Sequence, residues 1–464
     1  MSWRMNRPLV DILTGHWISM TGTALVTLAG FSWLFLLPMH MSGHANDPYI
    51  GLLAFVALPL MFFTGLVLIP IGAALGQRRV EGRLATAVDR RAVWRRAGIF
   101  FAVMTAANLV IASQLSYRAV TQMESVQFCG QTCHVMKPEF TAHMRPSHTA
   151  VDCVACHIRP GATGFVEAKM AGTRQLWNVI LNNYPRPIES AMESNRLVSS
   201  AETCEQCHER ARRMTPKLRV ITKYKDDEAN TPNQTVLMVM VDKIHAAHLA
   251  SGVAVRYAAA DRKRQTIPWV EYRDASGATR SYLTSDAKPD QIAAMPKFEM
   301  QCVDCHNRAA HSFEVADRAV DGAISFGQIP GDLPFVKKTS LAVVQGQYAS
   351  PDDASAKIAA QLNDFYRQKY PDVAARRAND INGAARTLTA IYNRNVFSDL
   401  KVTWGTYPNN LGHADYPGCF RCHDGSHVTK TNESITQDCA ACHNVIAVEE
   451  SSPEVLKTLG LSTK

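Results

Sequence analysis

No cysteine occurs in the first 128 of the 464 residues, and none of the 12 in the chain lies outside a close pair. So few cysteines in so long a chain exclude a small disulfide scaffold. Lysine is missing from residues 1–116, which hold nine arginines and four acids, while the remainder carries 40 basic against 37 acidic residues. The net +8 is therefore no basic footprint for nucleic acid. Low-complexity segments are also lacking, and 47% hydrophobic composition excludes wholesale disorder and gives a core for two or three domains.

Long apolar runs are confined to the first quarter, at 17–38, 49–76 and 97–115. Each has the roughly 20 residues a helix needs to cross a bilayer. The third, with Asn108, Ser113 and Gln114, also fits a buried soluble helix. Arg4 and Arg7 precede the first run, 39–48 has no basic residue, and 77–96 carries seven arginines. Retention of arginine on the cytoplasmic side puts the amino terminus inside and everything after about Tyr117 outside. Gly43-His44-Ala45 resembles a signal-peptidase site, but 22 apolar residues exceed a signal core, so a retained anchor is expected.

What is present is a pattern of paired cysteines, each pair followed at once by histidine. Five pairs read C-x-x-C-H: Cys153, Cys156, His157; Cys204, Cys207, His208; Cys302, Cys305, His306; Cys419, Cys422, His423; Cys439, Cys442, His443. A sixth, Cys129, Cys133 and His134, has one extra residue, which must bulge from the turn. Two thiols on one turn can each add to a haem vinyl group, and the next residue then directs its imidazole to the iron. Zinc ribbons or disulfides would not need histidine in that register five times. Six covalently bound haem c groups are expected, and haem attachment outside the cytoplasm agrees with the charge-based orientation. The six histidines are 23, 51, 98, 117 and 20 residues apart, which excludes a simple repeat array.

Of 16 histidines, six follow cysteine pairs and His16, His40 and His44 lie by the apolar runs. That leaves His143, His148, His245, His248, His311, His413 and His427, of which the six from His148 onward are taken as second iron ligands. A surface histidine is ordinarily just solvated; here the number nearly matches the vacant axial positions, and His245 and His248 share one helical face. His311 and His427 leave on the same face as the histidines they follow, so they reach a neighbouring haem more plausibly than their own. Met136, two residues beyond His134, is either a ligand or a core methionine.

Between the motifs, apolar spacing predicts a helix at 164–182, short strands over 253–283 with a turn at Asp274-Ala275-Ser276-Gly277, and helices at 355–366 and 384–397 separated by an Asn-Gly break. The polar tail from Glu449 is expected to fray.

The run Cys133-His134-Val135-Met136, followed by Cys153 to His157 and a helix containing Lys169, resembles the NapC/NirT family of membrane-bound multihaem cytochromes c over residues 97 to about 210. Residues 416–425, Y-P-G-C-F-R-C-H-D-G, look like those of longer relatives. The resemblance implies Met136 as a ligand of the haem nearest the membrane, with quinol bound beside it near Lys169 and Glu139. The chain departs from the family's simpler members in having three apolar runs and six motifs.

The expected architecture is mainly α: a three-helix transmembrane anchor at 1–116, then an exported multihaem c domain of helices, long haem-wrapping loops and one small β-hairpin region. Its parts are a haem domain with haems 1–3 at 117–211, an insert with the β region at 212–300, a haem domain with haems 4–6 and a helical spacer at 301–448, and a tail at 449–464. The expected function is electron transfer from membrane quinol to a periplasmic redox partner or reductase, with the chain in the inner membrane of a bacterium. Two alternatives are a terminal reductase of a small oxidant at an open haem, and a haem-bearing anchor subunit of a larger membrane complex.

Overall fold

The computed structural model describes residues 16–41, 56–84, 102, 106, 113–114, 117–118, 120–132, 134–145, 147–208 and 214–461. The chain divides into two units, Met1–Phe128 and Cys129–Lys464.

In the first unit, α1 (Trp17–Met41) packs on α2 (Leu58–Leu84). Glycines set their closeness: a Cβ on Gly22 would meet Gly65 O at 2.7 Å, and one on Gly72 would meet Ser19 N at 2.2 Å. Ala29, Trp33, Leu58 and Phe62 form the small core between them. The three-helix transmembrane anchor is overturned: among the described residues no helix is long and apolar enough to cross a membrane. Ser19, Thr21, Gly22, Thr23, Thr27 and Gly30 dilute α1, and α2 runs on past Gly76 through Arg78, Arg79, Glu81 and Arg83 in the same helix. The run at 97–115 lies outside the described residues except for 102, 106 and 113–114.

The second unit opens with α3 (Lys137–His143) and α4 (Ala162–Ile180), the latter over the predicted stretch. Next come β1 (Lys217–Tyr224), β2 (Pro232–Val239), α5 (Val241–Leu249), β3 (Ala254–Ala258), β4 (Trp269–Arg273), β5 (Thr279–Leu283) and β6 (Lys297–Glu299). Strands β5-β4-β3-β6 form one antiparallel sheet. Asp274 closes its β4–β5 turn by accepting from Ser276 N and Ala278 N, both at 3.0 Å, with Gly277 at φ 87°.

The single hairpin region was an undercount, because a second sheet, β1-β2-β7, exists. Its third strand, β7 (His443–Glu450), arrives some 200 residues after β2 and starts on the histidine of the last motif. The tail does not fray at Glu449 either: Leu456, in the short helix Glu454–Thr458, is buried with Val236 and Ala447.

Between β6 and β7 in the chain lies the helical core, made of α6 (Ala316–Ser325), α7 (Val336–Val344), α8 (Pro351–Lys369) and α9 (Ala378–Asn395). Ser350 caps α8 by accepting from Asp353 N at 3.1 Å, and Ile358, Leu362 and Tyr366, four apart, are fully buried. Each such side chain contributes roughly 1.5–3 kcal/mol. The expected Asn-Gly break is absent from α9, which runs through Asn382 and Gly383. A helical glycine costs about 1 kcal/mol, and burial of Ile381, Ala384, Ala385 and Leu388 around it outweighs that. Lys337 is buried on α7, held at 2.7 Å by both Asp317 and Asp321 of α6.

Candidate haem sites

The five C-x-x-C-H pairs each lie on a single helical turn that carries both cysteines up to the histidine. The histidine N–H donates to the carbonyl of the first cysteine at 2.8 Å for His208–Cys204, 2.8 Å for His306–Cys302 and 3.0 Å for His423–Cys419. The pair with the extra residue has a different local form. Phe128–Thr132 is a π-helical turn, which takes up one residue more than an α turn. Gly130 is required there, since a Cβ would lie 2.2 Å from Phe140 Cδ2. Cys133 lies outside the described residues.

The histidines that follow the pairs meet the spare ones ring to ring. Ring centres lie 6.1 Å apart for His157 and His311, 6.1 Å for His208 and His148, 6.2 Å for His306 and His245, 5.9 Å for His423 and His248, and 6.1 Å for His443 and His413. A metal ion between two imidazole nitrogens at about 2 Å each separates ring centres by roughly 6 Å. Among the described residues no three or more His, Cys, Asp or Glu converge on a metal position. Two opposed imidazoles are what a porphyrin iron needs, because the macrocycle supplies the other four nitrogens.

Tautomers fit as well. His245 donates Nδ1–H to Val241 O at 2.8 Å, His248 to Ile244 O at 2.7 Å, His311 to Glu139 O at 3.0 Å, His148 to Ala309 O at 3.2 Å and His423 to Thr436 O at 2.8 Å. That leaves each Nε2 with its lone pair, as ligation requires. Burial pushes His157, His248, His306 and His311 toward the neutral form, His311 to about 4. The Nε2 of buried His143, 5.9 Å ring to ring from His311, has no hydrogen-bond partner in the structure. An orphan nitrogen in this place is a further mark of a metal-binding surround, and spacing along the chain assigns His143 to no iron.

Residues 93–235 match the NapC/NirT cytochrome c family, N-terminal region. Cytochrome c-type protein ImcH of Geobacter sulfurreducens is 38% identical over 455 residues, which cover 94% of this chain and 89% of that relative. The chain belongs to the NapC/NirT cytochrome c family. It is a c-type cytochrome, carrying covalently bound haem c for multihaem electron transfer in respiration. No solved structure matches it.

The other candidate residues of this NapC/NirT cytochrome are placed apart. Among the described residues His427 meets no second imidazole: it is buried, with Nε2 on Ile267 O at 2.7 Å and Nδ1 on Asp424 Oδ1 at 3.1 Å. Both nitrogens are engaged, which makes it a staple of the 424–428 loop. His134 faces a phenol, with Nε2 3.1 Å from the Tyr184 hydroxyl, which itself accepts from Arg186 Nη2 at 2.7 Å. Met136 ends the 3-10 turn His134–Met136 and is partly exposed.

No hydrogen bond or ion pair among the described residues joins Glu139 to Lys169. Glu139 is buried beside His311, Oε2 to Nδ1 3.4 Å, and burial raises its carboxyl despite the nearby Arg308. Lys169 sits on α4 with its Nζ 4.9 Å over the Phe165 ring. Around it Phe165, Val166, Met170, Trp177 and Ile180 are exposed.

The residues between the paired cysteines have work that spacing alone did not reveal. Asp304 of C-V-D-C is buried, accepting from Arg264 Nη1 at 3.0 Å and from the Tyr257 hydroxyl, while its other oxygen takes Gln301 N at 2.7 Å. Arg421 of C-F-R-C donates to Asp304 O at 2.6 Å and to Arg264 O at 2.9 Å, fastening one attachment turn to the next.

Proposed function

We propose that this cytochrome binds six haem c groups and moves electrons from membrane quinol to an accepting protein on the periplasmic side of the cytoplasmic membrane. The observation that carries the proposal is the set of five imidazole pairs with centres 5.9–6.2 Å apart. On this reading the cysteine pairs would attach the macrocycles, and His157 with His311, His208 with His148, His306 with His245, His423 with His248, and His443 with His413 would hold the irons. When bound, bis-imidazole haem supplies one-electron centres of lower potential than methionine-ligated ones. Irons closed on both sides favour conduction over small-molecule reduction, so the terminal-reductase alternative falls behind.

The quinol end of this proposal lies at the first motif. Among the described residues His134 is the one motif histidine facing a hydroxyl, that of Tyr184, and it carries the nearby Met136 as second-ligand candidate. The exposed apolar side chains around Lys169 suit a lipid-soluble donor. Lys169 then orients the quinol hydroxyl, and its stem lies along the Phe165 ring. Glu139 has a different part from the one the family resemblance implied: its backbone oxygen and carboxylate both face His311 Nδ1, holding that imidazole in place.

Mixing the purified holoprotein with a reduced quinol while recording haem absorbance tests the reading. Lys169→Met is expected to slow quinol-driven reduction while dithionite reduction stays the same. Failure of quinol to reduce the unaltered protein would remove quinol as donor, and equal quinol rates in the variant would remove Lys169 alone.

A further inference from the structure

One of the six attachment motifs carries a cation between its cysteines. The intervening residues are Gly-Gln-Thr, Val-Ala, Glu-Gln, Val-Asp, Phe-Arg and Ala-Ala in chain order, so Arg421 is the single basic side chain so placed. A residue there leaves from the turn to which the macrocycle is bonded, and a charge fixed on that turn acts on the iron couple.

Arg421 is half-buried and spends its donors on neutral groups. Nε donates to Gly418 O at 2.9 Å, Nη1 to Arg264 O at 2.9 Å and Nη2 to Asp304 O at 2.6 Å. All three acceptors are backbone carbonyls, and among the described residues no carboxylate forms an ion pair with this guanidinium. The acid whose backbone it holds, Asp304, is committed elsewhere: its carboxylate takes Arg264 Nη1 at 3.0 Å, the Tyr257 hydroxyl, and Gln301 N at 2.7 Å. Asp424, three residues beyond Arg421, is exposed to solvent and accepts from Ser426 N at 3.0 Å. Two guanidiniums, Arg264 and Arg421, thus meet the one carboxylate of Asp304, and a positive charge is left over where the two attachment turns join.

That charge is held in place. Asn410 Nδ2 donates to the same Asp304 oxygen at 3.0 Å, and Cys419 N donates to Gly412 O at 2.9 Å, which ties the loop before the fifth motif to the fourth. Gly418, whose carbonyl takes Arg421 Nε, has φ 50°, and a Cβ there would lie 1.6 Å from Gly412 O. Three carbonyls from three separate segments therefore fix the guanidinium between the turn Cys302–Cys305 and the turn Gly418–Arg421, where a surface arginine would swing free and be screened. A fixed cation favours the state of a neighbouring iron that holds one more electron. At an effective dielectric of about 20, a unit charge about 12 Å away changes the ferrous-to-ferric ratio about tenfold.

We infer that Arg421 is a positioning residue for electron transfer, raising through its uncompensated charge the reduction potentials of the two haems attached at Cys302–Cys305 and Cys419–Cys422. The other haems keep the potentials their own surroundings set. This inference rests on the haem attachment proposed above, and on the pairing of His306 with His245 and His423 with His248 only to tell the haems apart.

Spectroelectrochemical titration of the holoprotein reads it. His245→Met and His248→Met each move one potential, which identifies the fourth-motif and fifth-motif haems. Arg421→Gln removes the charge and keeps an amide donor; it is expected to lower both of these potentials by about 59 mV, the equivalent of tenfold for a one-electron couple. Arg421→Lys keeps the charge but cannot serve all three carbonyls, so its two potentials should stay near the parent values while its thermal midpoint falls. A merely structural arginine would give the opposite pattern, with potentials following stability. Equal loss of potential in the Gln and Lys variants would overturn the inference, and so would an Arg421→Gln titration in which neither haem moves, only one moves, or all move alike. Failure of the underlying reading shows separately. A pyridine haemochrome count below six in the unaltered protein strikes the haem number, and the comparison still decides on the two haems concerned. If the two His→Met variants move no potential, the axial pairings fail, and the haems are identified instead by their loss from Cys302→Ala/Cys305→Ala and Cys419→Ala/Cys422→Ala.

Discussion

Asp304 is the most informative single site to perturb, because a buried ion pair and two haem attachment turns meet on it. The Arg264 and Asp304 side chains are only 11% and 3% exposed, and their atoms lie 3.0 Å apart. Solvent therefore screens the pair little. Asp304→Asn keeps the shape but removes the charge, leaving the guanidinium with Asn195 Oδ1 at 2.9 Å and the face of Phe298 at 3.7 Å. Neither neutralises it. Removing one partner of a buried pair costs about 3–5 kcal/mol, and the contacts that survive put this case near the lower end. Guanidinium unfolding of the holoprotein should show a lower midpoint with unchanged slope. In an Arg264→Met background no stranded cation remains, so the same replacement should cost about 1–3 kcal/mol less than in the parent. Equal midpoints for parent and Asp304→Asn, or strict additivity in the double variant, would refute the claim that this pair holds the fourth attachment turn against the fifth.

Other perturbations reach separate parts of the molecule. His248→Met should raise the midpoint potential of one haem and leave the other potentials close to their parent values, read by spectroelectrochemical titration. Gly130→Ala forces a methyl into the Phe140 ring, 2.2 Å from Cδ2, at a cost of about 1–3 kcal/mol; thermal unfolding should fall and a pyridine haemochrome count should lose one haem. Lys337→Met leaves Asp321 buried without its cation, at a cost of about 3–5 kcal/mol, and adding Asp321→Asn should recover much of the loss in thermal melts. Asp274 is held below the usual carboxylate range chiefly by the Ser276 hydroxyl. Its stabilising effect is present above the ordinary Asp value of about 3.9 and disappears as pH falls through the folded value. Asp274→Asn should accordingly speed amide exchange in β4 and β5 at neutral pH, with the difference vanishing in strong acid.

How much of this was legible beforehand depends on how local each feature is. The C-x-x-C-H register is local, and so are the helix over Ala162–Ile180, the turn at Asp274 and the apolar ladder Ile358, Leu362 and Tyr366. The second sheet was not legible because β7 pairs with β2 across some 200 residues, and period-two alternation in β1 and β2 names no partner. The Asn-Gly pair at 382–383 is a turn signal by local chemistry that the buried face of α9 overrides. The apolar runs of the first unit matched the length of a membrane span in composition, while the small and hydroxyl residues of α1 and the charged end of α2 belong to the helices actually formed. Among histidines, counting supplied the set and geometry sorted it: His427 has the right spacing but both nitrogens are engaged, and His143 has an orphan nitrogen that no spacing rule marks.

The first site differs from the other five for a reason that connects fold to chemistry. Five motif histidines each face an imidazole carried by a different segment, so closing those sites takes tertiary contacts that only the folded second unit provides. His134 instead faces Tyr184, whose phenol is anchored by Arg186 on the same short loop, with the guanidinium 4.3 Å from its ring centre. A phenol held by a cation is a weaker competitor for iron than a neutral imidazole with its Nδ1–H committed. His134 thus faces a group that another ligand would displace more readily than the imidazoles facing the other motif histidines. Tyr184→Phe gives the check: it should change the spectrum and potential of one haem and the rate of quinol-driven reduction together, and a rate unmoved by that replacement would detach the first site from electron entry.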